Sequence, residues 1–276
     1  MTDYEIRPFR TIEELKECVR LQEETWGAGF SERVPPAILK VSQILGGIAS
    51  GAYAADGTLA GFVFGMTGIR DGELVHWSDM LAVRPEARDS GLGTRLKAYQ
   101  RDEMLQRGVR KMYWTFDPLQ SRNAYLNFAK LGIVVREYAK DMYGDTDSPL
   151  HRGIGTDRLI ALWLMDHDRV APRLSGEERG PAAEHAPESR AALAEADPAG
   201  DLALPGEPVL GLDAPRVRVA IPADVSAVME RSMEVALAWR AATREALSHY
   251  LDRGYEVREL LRGPRTSHYL LYRERL

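Results

Sequence analysis

The run Leu81-Ala82-Val83-Arg84-Pro85-Glu86-Ala87-Arg88-Asp89-Ser90-Gly91-Leu92-Gly93-Thr94-Arg95-Leu96 constrains this chain more than any other. A strand from Leu74 to Val83 ends in it. A polar turn follows, and two glycines in alternate positions open an amphipathic helix from about Gly93 to Gln106. Such a junction gathers backbone N–H groups at a helix N-terminus and adds the positive end of the macrodipole. It also lets a ligand approach the main chain at glycine. A diphosphate is the natural occupant, and Arg88 can add a charge-assisted contact. The chain has no Gly-Lys-Ser/Thr of a Walker loop. Leu96 stands where a dinucleotide fingerprint would place its third Gly or Ala.

Strand-like and helix-like segments alternate around this junction. Tyr4 to Phe9 reads as a strand. Thr11 and Glu14 form a capping-box signal before a helix bearing Ile12, Leu15, Val19 and Trp26 on one face. Pro35 to Leu45 reads as a second helix, stopped by Gly46-Gly47. Ile48 to Ala55 and Thr58 to Thr67 read as strands joined at Asp56-Gly57, which suggests a type I′ hairpin. Val109 to Phe116 is a strand broken by Asp117-Pro118, Asn123 to Leu131 is a helix capped by Gly132, and Ile133 to Ala139 and Arg158 to Met165 are strands.

Past residue 166 the character changes. Gly176 to Pro208 is rich in Ala, Pro, Gly and Glu and poor in aromatic and β-branched residues. This composition buries too little apolar area to offset ordering, so a linker or long excursion is expected over 167–215, with a helical turn at Ala191 to Ala196. A β-α-β pattern returns over 216–276, with strands at Val217 to Ile221, Tyr255 to Leu261 and Ser267 to Tyr272. The stretches AKLGIVVREY and LDRGYEVREL echo each other as a helix end, a Gly cap and a strand with V-R-E.

Composition narrows the classes. The net charge of −5 argues against a nucleic-acid partner. No apolar run is long enough for a membrane span. The start MTDYEIRPFR lacks a secretory pattern, and the single cysteine, Cys18, excludes an internal disulfide, so a reducing cytoplasm is expected.

The string L-A-V-x-P-x-x-R-x-x-G-x-G resembles the GNAT superfamily of acyl-CoA-dependent N-acyltransferases. Arg88, Gly91 and Gly93 match the family's Q/R-x-x-G-x-G/A loop, and Leu81 to Pro85 matches the strand end before it. The resemblance covers residues 4 to 166 in element order. It implies an α/β (α+β) fold with a mixed, mostly antiparallel sheet flanked by helices: an acyltransferase domain over 1–166, the 167–215 excursion, and a C-terminal β-α-β extension over 216–276 packing on the core. It further implies that the backbone of Asp89, Ser90, Gly91, Leu92, Gly93 and Thr94 holds the coenzyme A diphosphate. The main chain of Leu81, Ala82 and Val83 would pair with the pantetheine arm.

Acyl transfer to an amine needs a carbonyl-polarising donor, a base for the ammonium and an acid for the thiolate, with no metal required. Asp79, sharing strand parity with Leu81, is the candidate base. The family often places Tyr four residues before the helix-ending Gly, where this chain has Phe128. Tyr125 and Tyr143 are the substitute acids. Asn123 is a candidate pantetheine contact, with Asn127 as its alternative. His76 and Cys18 read as core residues. Arg33, Arg152 and Arg158 are candidates for binding a substrate carboxylate.

The C-terminal piece, with Trp239-Arg240 and Arg253-Gly254-Tyr255, is similar to a bacterial subfamily associated with N-succinylamino acid racemases and o-succinylbenzoate synthases. That implies acetyl-CoA or succinyl-CoA as donor and a small-molecule amine, such as an amino acid, as acceptor, with a homodimer as one admissible assembly. Two alternatives stay open: a non-catalytic CoA-binding regulatory module, and an acetyltransferase acting on protein N-termini or lysines.

Overall fold

The capping signal at Thr11 starts helix α1 (Ile12–Trp26), where Thr11 Oγ1 accepts the Glu14 N–H at 3.2 Å. The Glu14 carboxylate turns back to the Arg10 N–H at 2.6 Å and to the Arg7 guanidinium at 2.7 Å. The computed structural model describes residues 3–144, 153–178, 188–197 and 199–276. The chain divides into two compact units, Met1–Trp114 with Leu164–Asp166, and Thr115–Trp163 with His167–Leu276. Both are mixed α/β, with mostly antiparallel strands flanked by helices. No helix among the described residues is long and apolar enough to cross a membrane.

In the first unit, β1 (Glu5–Pro8), β2 (Ile48–Tyr53), β3 (Leu59–Arg70) and β4 (Glu73–Val83) pair antiparallel in that order. The start of β5 (Lys111–Phe116) pairs parallel to β4. Helices α2 (Pro36–Ile44) and α3 (Leu92–Gln106) complete the unit. Phe62 and Phe64 of β3 pack with Leu15, Cys18 and Leu21 of α1 and Leu39 of α2. On the opposite parity, Gly61 and Gly65 leave room for α3 and β4. A Cβ on Gly65 would lie 2.3 Å from His76 Nε2, so only glycine admits that ring. Burial pushes the Cys18 thiol up to about 12, which makes it a packing residue and not a nucleophile.

The expected type I′ hairpin at Asp56-Gly57 is corrected. That turn needs positive φ at both central residues, and of the two only Gly57 has it (φ 87°). The loop is instead closed by Ala54 N–H to Thr58 O and Gly57 N–H to Ala54 O, both at 2.9 Å.

In the second unit, the strand order is β7 (Arg158–Leu164), β6 (Val134–Ala139), β10 (Glu256–Leu261), β11 (Thr266–Tyr272), β9 (Arg216–Pro222) and β8 (Arg190–Leu193). All neighbours pair antiparallel except β8 with β9. Helix α4 (Ser121–Tyr125) runs into a π-helical stretch, Leu126–Leu131, and α5 (Val170–Ser175), α6 (Val225–Arg231) and α7 (Met233–Asp252) follow. The echoed V-R-E strands lie side by side, with Val135 opposite Val257, and each follows a left-handed glycine, Gly132 or Gly254.

The stretch expected to be featureless contains β8, where the sequence suggested a helical turn at Ala191 to Ala196. Ala192 and Leu193 are buried. The returning chain bonds to it through Gly206 N–H to Ala194 O and Val209 N–H to Ala192 O, each at 2.8 Å. Composition averaged over a long window hides four residues that find a free strand edge.

Asp117, which follows β5, forms a buried ion pair with Arg240 of α7 at 2.7 Å, and Arg240 Nε donates to Ile154 O at 3.1 Å. Removing one partner strands the other charge, so Arg240→Met is expected to lower unfolding stability by about 3–5 kcal/mol. Denaturant melts of the variant and of Arg240→Met/Asp117→Leu, in which the stranded carboxylate is gone, check this.

Candidate active site

Strand β4 carries an irregularity that positions its chemistry. Its register with β3 pairs Gly65 with Ser78 and Phe64 with Met80, so Asp79 is the extra residue of a bulge. From there to Val83 the strand alternates, with Asp79 exposed, Leu81 and Val83 half-buried, and Met80 and Ala82 buried. On its other side β4 pairs with β5 only at Val75, His76 and Trp77. Beyond Trp77 the β5-side edge of β4 is released from that ladder, which leaves main-chain groups for an extended ligand.

After Val83 the chain makes a 3₁₀ turn at Pro85–Ala87 and enters the glycine loop. Asp89 (φ 59°) and Gly91 (φ 81°) both take positive φ, and Gly91 is the N-cap of α3 without a side-chain capping bond. The first main-chain bond of the helix is Arg95 N–H to Gly91 O at 3.1 Å, so the N–H groups of Leu92, Gly93 and Thr94 precede the helical ladder. No atom lies within 4 Å of where a Gly91 Cβ would be. A Gly93 Cβ would meet only Leu81 Cδ2 at 3.8 Å and Val83 Cγ2 at 4.0 Å. This open, uncapped start of a fifteen-residue helix fits a diphosphate. Ser90 Oγ is turned inward to Ala87 O at 2.7 Å, and the exposed Arg88 donates through Nε to Val83 O at 3.3 Å.

Asp79 is solvent-accessible, yet the protein around it desolvates its carboxyl and raises its pKa. A hydrogen bond with Trp77 opposes the rise and the Glu32 charge adds to it. Arg33, next to Glu32, is engaged with Glu23 at 2.7 Å as an exposed ion pair.

Behind β4 lies a polar network that sequence reasoning missed. Lys97 of α3 is buried. Its Nζ donates to Ser78 Oγ at 2.7 Å and sits 3.8 Å from the centre of the Trp114 ring. Ser78 Oγ donates to Gln100 Oε1 at 2.8 Å. Gln100 Nε2 lies 2.9 Å from His76 Nε2, and His76 Nδ1 lies 3.1 Å from Thr67 Oγ1, which donates to Gly46 O at 3.0 Å. Since Gln100 Nε2 can only donate, His76 carries its proton on Nδ1. Burial lowers the His76 pKa to about 3, helped by the Lys97 and Arg107 charges, and burial alone lowers that of Lys97 to about 7. His76 is therefore a satisfied, neutral core residue. The available signal was a Lys and a Gln on the helix face that also bears Leu92, Leu96 and Met104.

The remaining candidates belong to the second unit. The Tyr143 hydroxyl is 2.9 Å from Thr115 Oγ1, and the Arg158 guanidinium lies over the Tyr143 ring at 5.3 Å while Nη1 donates to Asp157 O at 3.0 Å. Arg244 binds both oxygens of Asp157 at 2.7 Å. Burial raises the Asp157 pKa, but the Arg244 and Tyr138 hydrogen bonds and the Asp141 N–H outweigh it, so the net shift is downward. Tyr125 is half-buried with the Arg262 guanidinium 5.3 Å from its ring centre, and Asn123 is exposed on α4. The alternative Asn127 is buried, and Phe128 packs edge-on against Phe116 and Tyr269. Arg152 lies outside the described residues. Among the described residues no group of His, Cys, Asp or Glu is arranged to hold a metal ion.

Residues 15–133 match the family model described as Acetyltransferase (GNAT) family. Solved structures similar to this chain include the ribosomal-protein-S18-alanine N-acetyltransferase from Escherichia coli, at 17% identity and TM-score 0.47, over 60% of this chain and 96% of that one. Another is a GNAT superfamily phosphinothricin acetyltransferase from Sinorhizobium meliloti in complex with acetyl-CoA, at 16% identity and TM-score 0.47, over 59% and 88%. No curated protein matches the chain.

Proposed function

Because the chain carries a GNAT acetyltransferase domain over residues 15–133, and with it acyl-CoA-dependent N-acyltransferase activity, we propose that it moves an acetyl or succinyl group onto the primary amine of a small molecule, an amino acid in particular. The observation that carries this reading is the uncapped, glycine-opened start of α3 beside the released edge of β4, with an accessible carboxyl at the bulge.

The chemistry follows from those parts. The N–H groups from Asp89 to Thr94 hold the diphosphate, with Arg88 as an exposed cation beside them. The main chain of Leu81 to Val83 takes the extended arm. Four residues separate Val83 from Asp79, about 13 Å of strand, so an arm laid along β4 brings the acyl end to the bulge. The bound donor supplies an activated thioester. Asp79 takes the proton of the acceptor ammonium, directly or through water. Desolvation raises its pKa, which makes the carboxylate a stronger base than an ordinary exposed one.

A thiol-release screen of acetyl-CoA and succinyl-CoA against D- and L-amino acids tests the reading. Release that depends on one amino acid supports it. Release only with peptide N-termini or protein lysines would move the acceptor to the protein class. No release with any amine, together with intact CoA binding, would make the protein a binding module.

A further inference from the structure

Resting on the acyl-transfer reading above, we propose that Lys97 is the group that meets the departing thiolate and returns a proton to it. Two observations converge. First, the β4–β5 ladder ends at Trp77 and Tyr113, and the next residue on each strand, Ser78 and Trp114, is a contact of the Lys97 amine. The amine therefore sits at the apex where the two strands part, one residue from the Asp79 bulge. Second, it is a buried amine whose pKa is lowered by burial alone, and among the described residues no carboxylate forms an ion pair with it. A cation placed so is costly unless an anion arrives.

The groups facing the amine leave it as the one that can titrate near neutrality. They are Ser78 and His76 on β4, Gln100 on its own helix, Trp114 on β5 and Thr67 on β3, with Arg107 as a more distant charge. His76 is neutral at any working pH. Ser78 donates onward to Gln100 and so presents a lone pair to Lys97, holding the amine in place without neutralising it.

The step balances. As the amine nitrogen bonds to the acyl carbon, the carbon–sulfur bond breaks and its electron pair stays on sulfur. Lys97 Nζ passes one proton to that sulfur and regains one from solvent, while the two protons the acceptor ammonium must lose, one before attack and one from the tetrahedral adduct, leave in turn through Asp79 to solvent.

The test reads the thiol directly. Free CoA is titrated with wild type, Lys97→Met and Lys97→Arg, following the ultraviolet difference absorbance of the thiolate against desulfo-CoA. With wild type, the bound thiol is expected to ionise at least 1 pH unit below the free thiol, as an adjacent ammonium requires. With Lys97→Met that shift disappears, with CoA affinity unchanged below the thiol's pKa and weaker above it. Turnover falls about 100-fold, and the variant unfolds at no lower temperature than wild type, since removing a poorly solvated amine relieves the fold. Lys97→Arg keeps the thiol shift but does not recover turnover, because guanidinium gives up no proton. A wild-type protein that binds CoA with an unshifted thiol would overturn the assignment and leave the acyl-transfer reading standing. So would a Lys97→Met variant that is stable, binds CoA and turns over within about threefold of wild type. A wild type that binds no CoA would sink both.

Discussion

Replacing Gly93 by Glu is expected to abolish CoA binding while the protein folds as before. A side chain at this position has space in the free protein, since its Cβ would only touch Leu81 and Val83 at ordinary contact distance. The substitution sits in the first turn of α3, where a carboxylate favours the helix dipole, so stability is retained. The same carboxylate then occupies the opening proposed for the diphosphate and opposes its charge. A loss of at least about 1,000-fold in affinity, or roughly 4 kcal/mol, is expected from calorimetric titration. Gly91 makes a less clean probe. Its φ of 81° would strain any other residue by about 1 kcal/mol, which mixes folding with binding. Wild-type affinity in a folded Gly93→Glu protein would remove the loop from the site.

Asp79→Asn is expected to lower turnover by about 100-fold or more, the scale of a positioned proton acceptor, with CoA affinity within about twofold of wild type. The pH profile carries the sign. A base works ionised, and the Asp79 pKa is raised by desolvation, so wild-type turnover falls as pH drops through that raised value. In the variant this acidic limb disappears. Stability gives an independent check. A raised folded-state pKa means that the fold disfavours the ionised form, so the Asn variant should be no less stable above that pKa. A profile with the same acidic limb in both proteins would assign the proton to another group.

What could be read in advance follows from how local each cue is. The strand–turn–helix around Gly91 and Gly93 is written in one contiguous run, and the helix does open there. Thr11 and Glu14 fix a helix start through bonds four residues apart or fewer. Long-range partners leave no such trace. Lys97 reads as one more solvated lysine until β4 and β5 close over it. Asp117-Pro118 reads as a strand breaker, although the Asp117 carboxylate pairs with Arg240, 123 residues away. The β8 strand was hidden for the same reason, since Arg190 to Leu193 gain their order from the edge of β9. The bulge at Asp79 is likewise a property of the β3–β4 register, in which Phe64 faces Met80 and Gly65 faces Ser78.

On the proposed function, main-chain N–H groups opening α3 bind the diphosphate of an acyl donor. Amide chemical shifts recorded while CoA is titrated into the labelled protein test it most directly. The expected result is saturable, large shifts at Ser90 through Thr94 that vanish in Gly93→Glu. Saturable binding with those amides unmoved would contradict it.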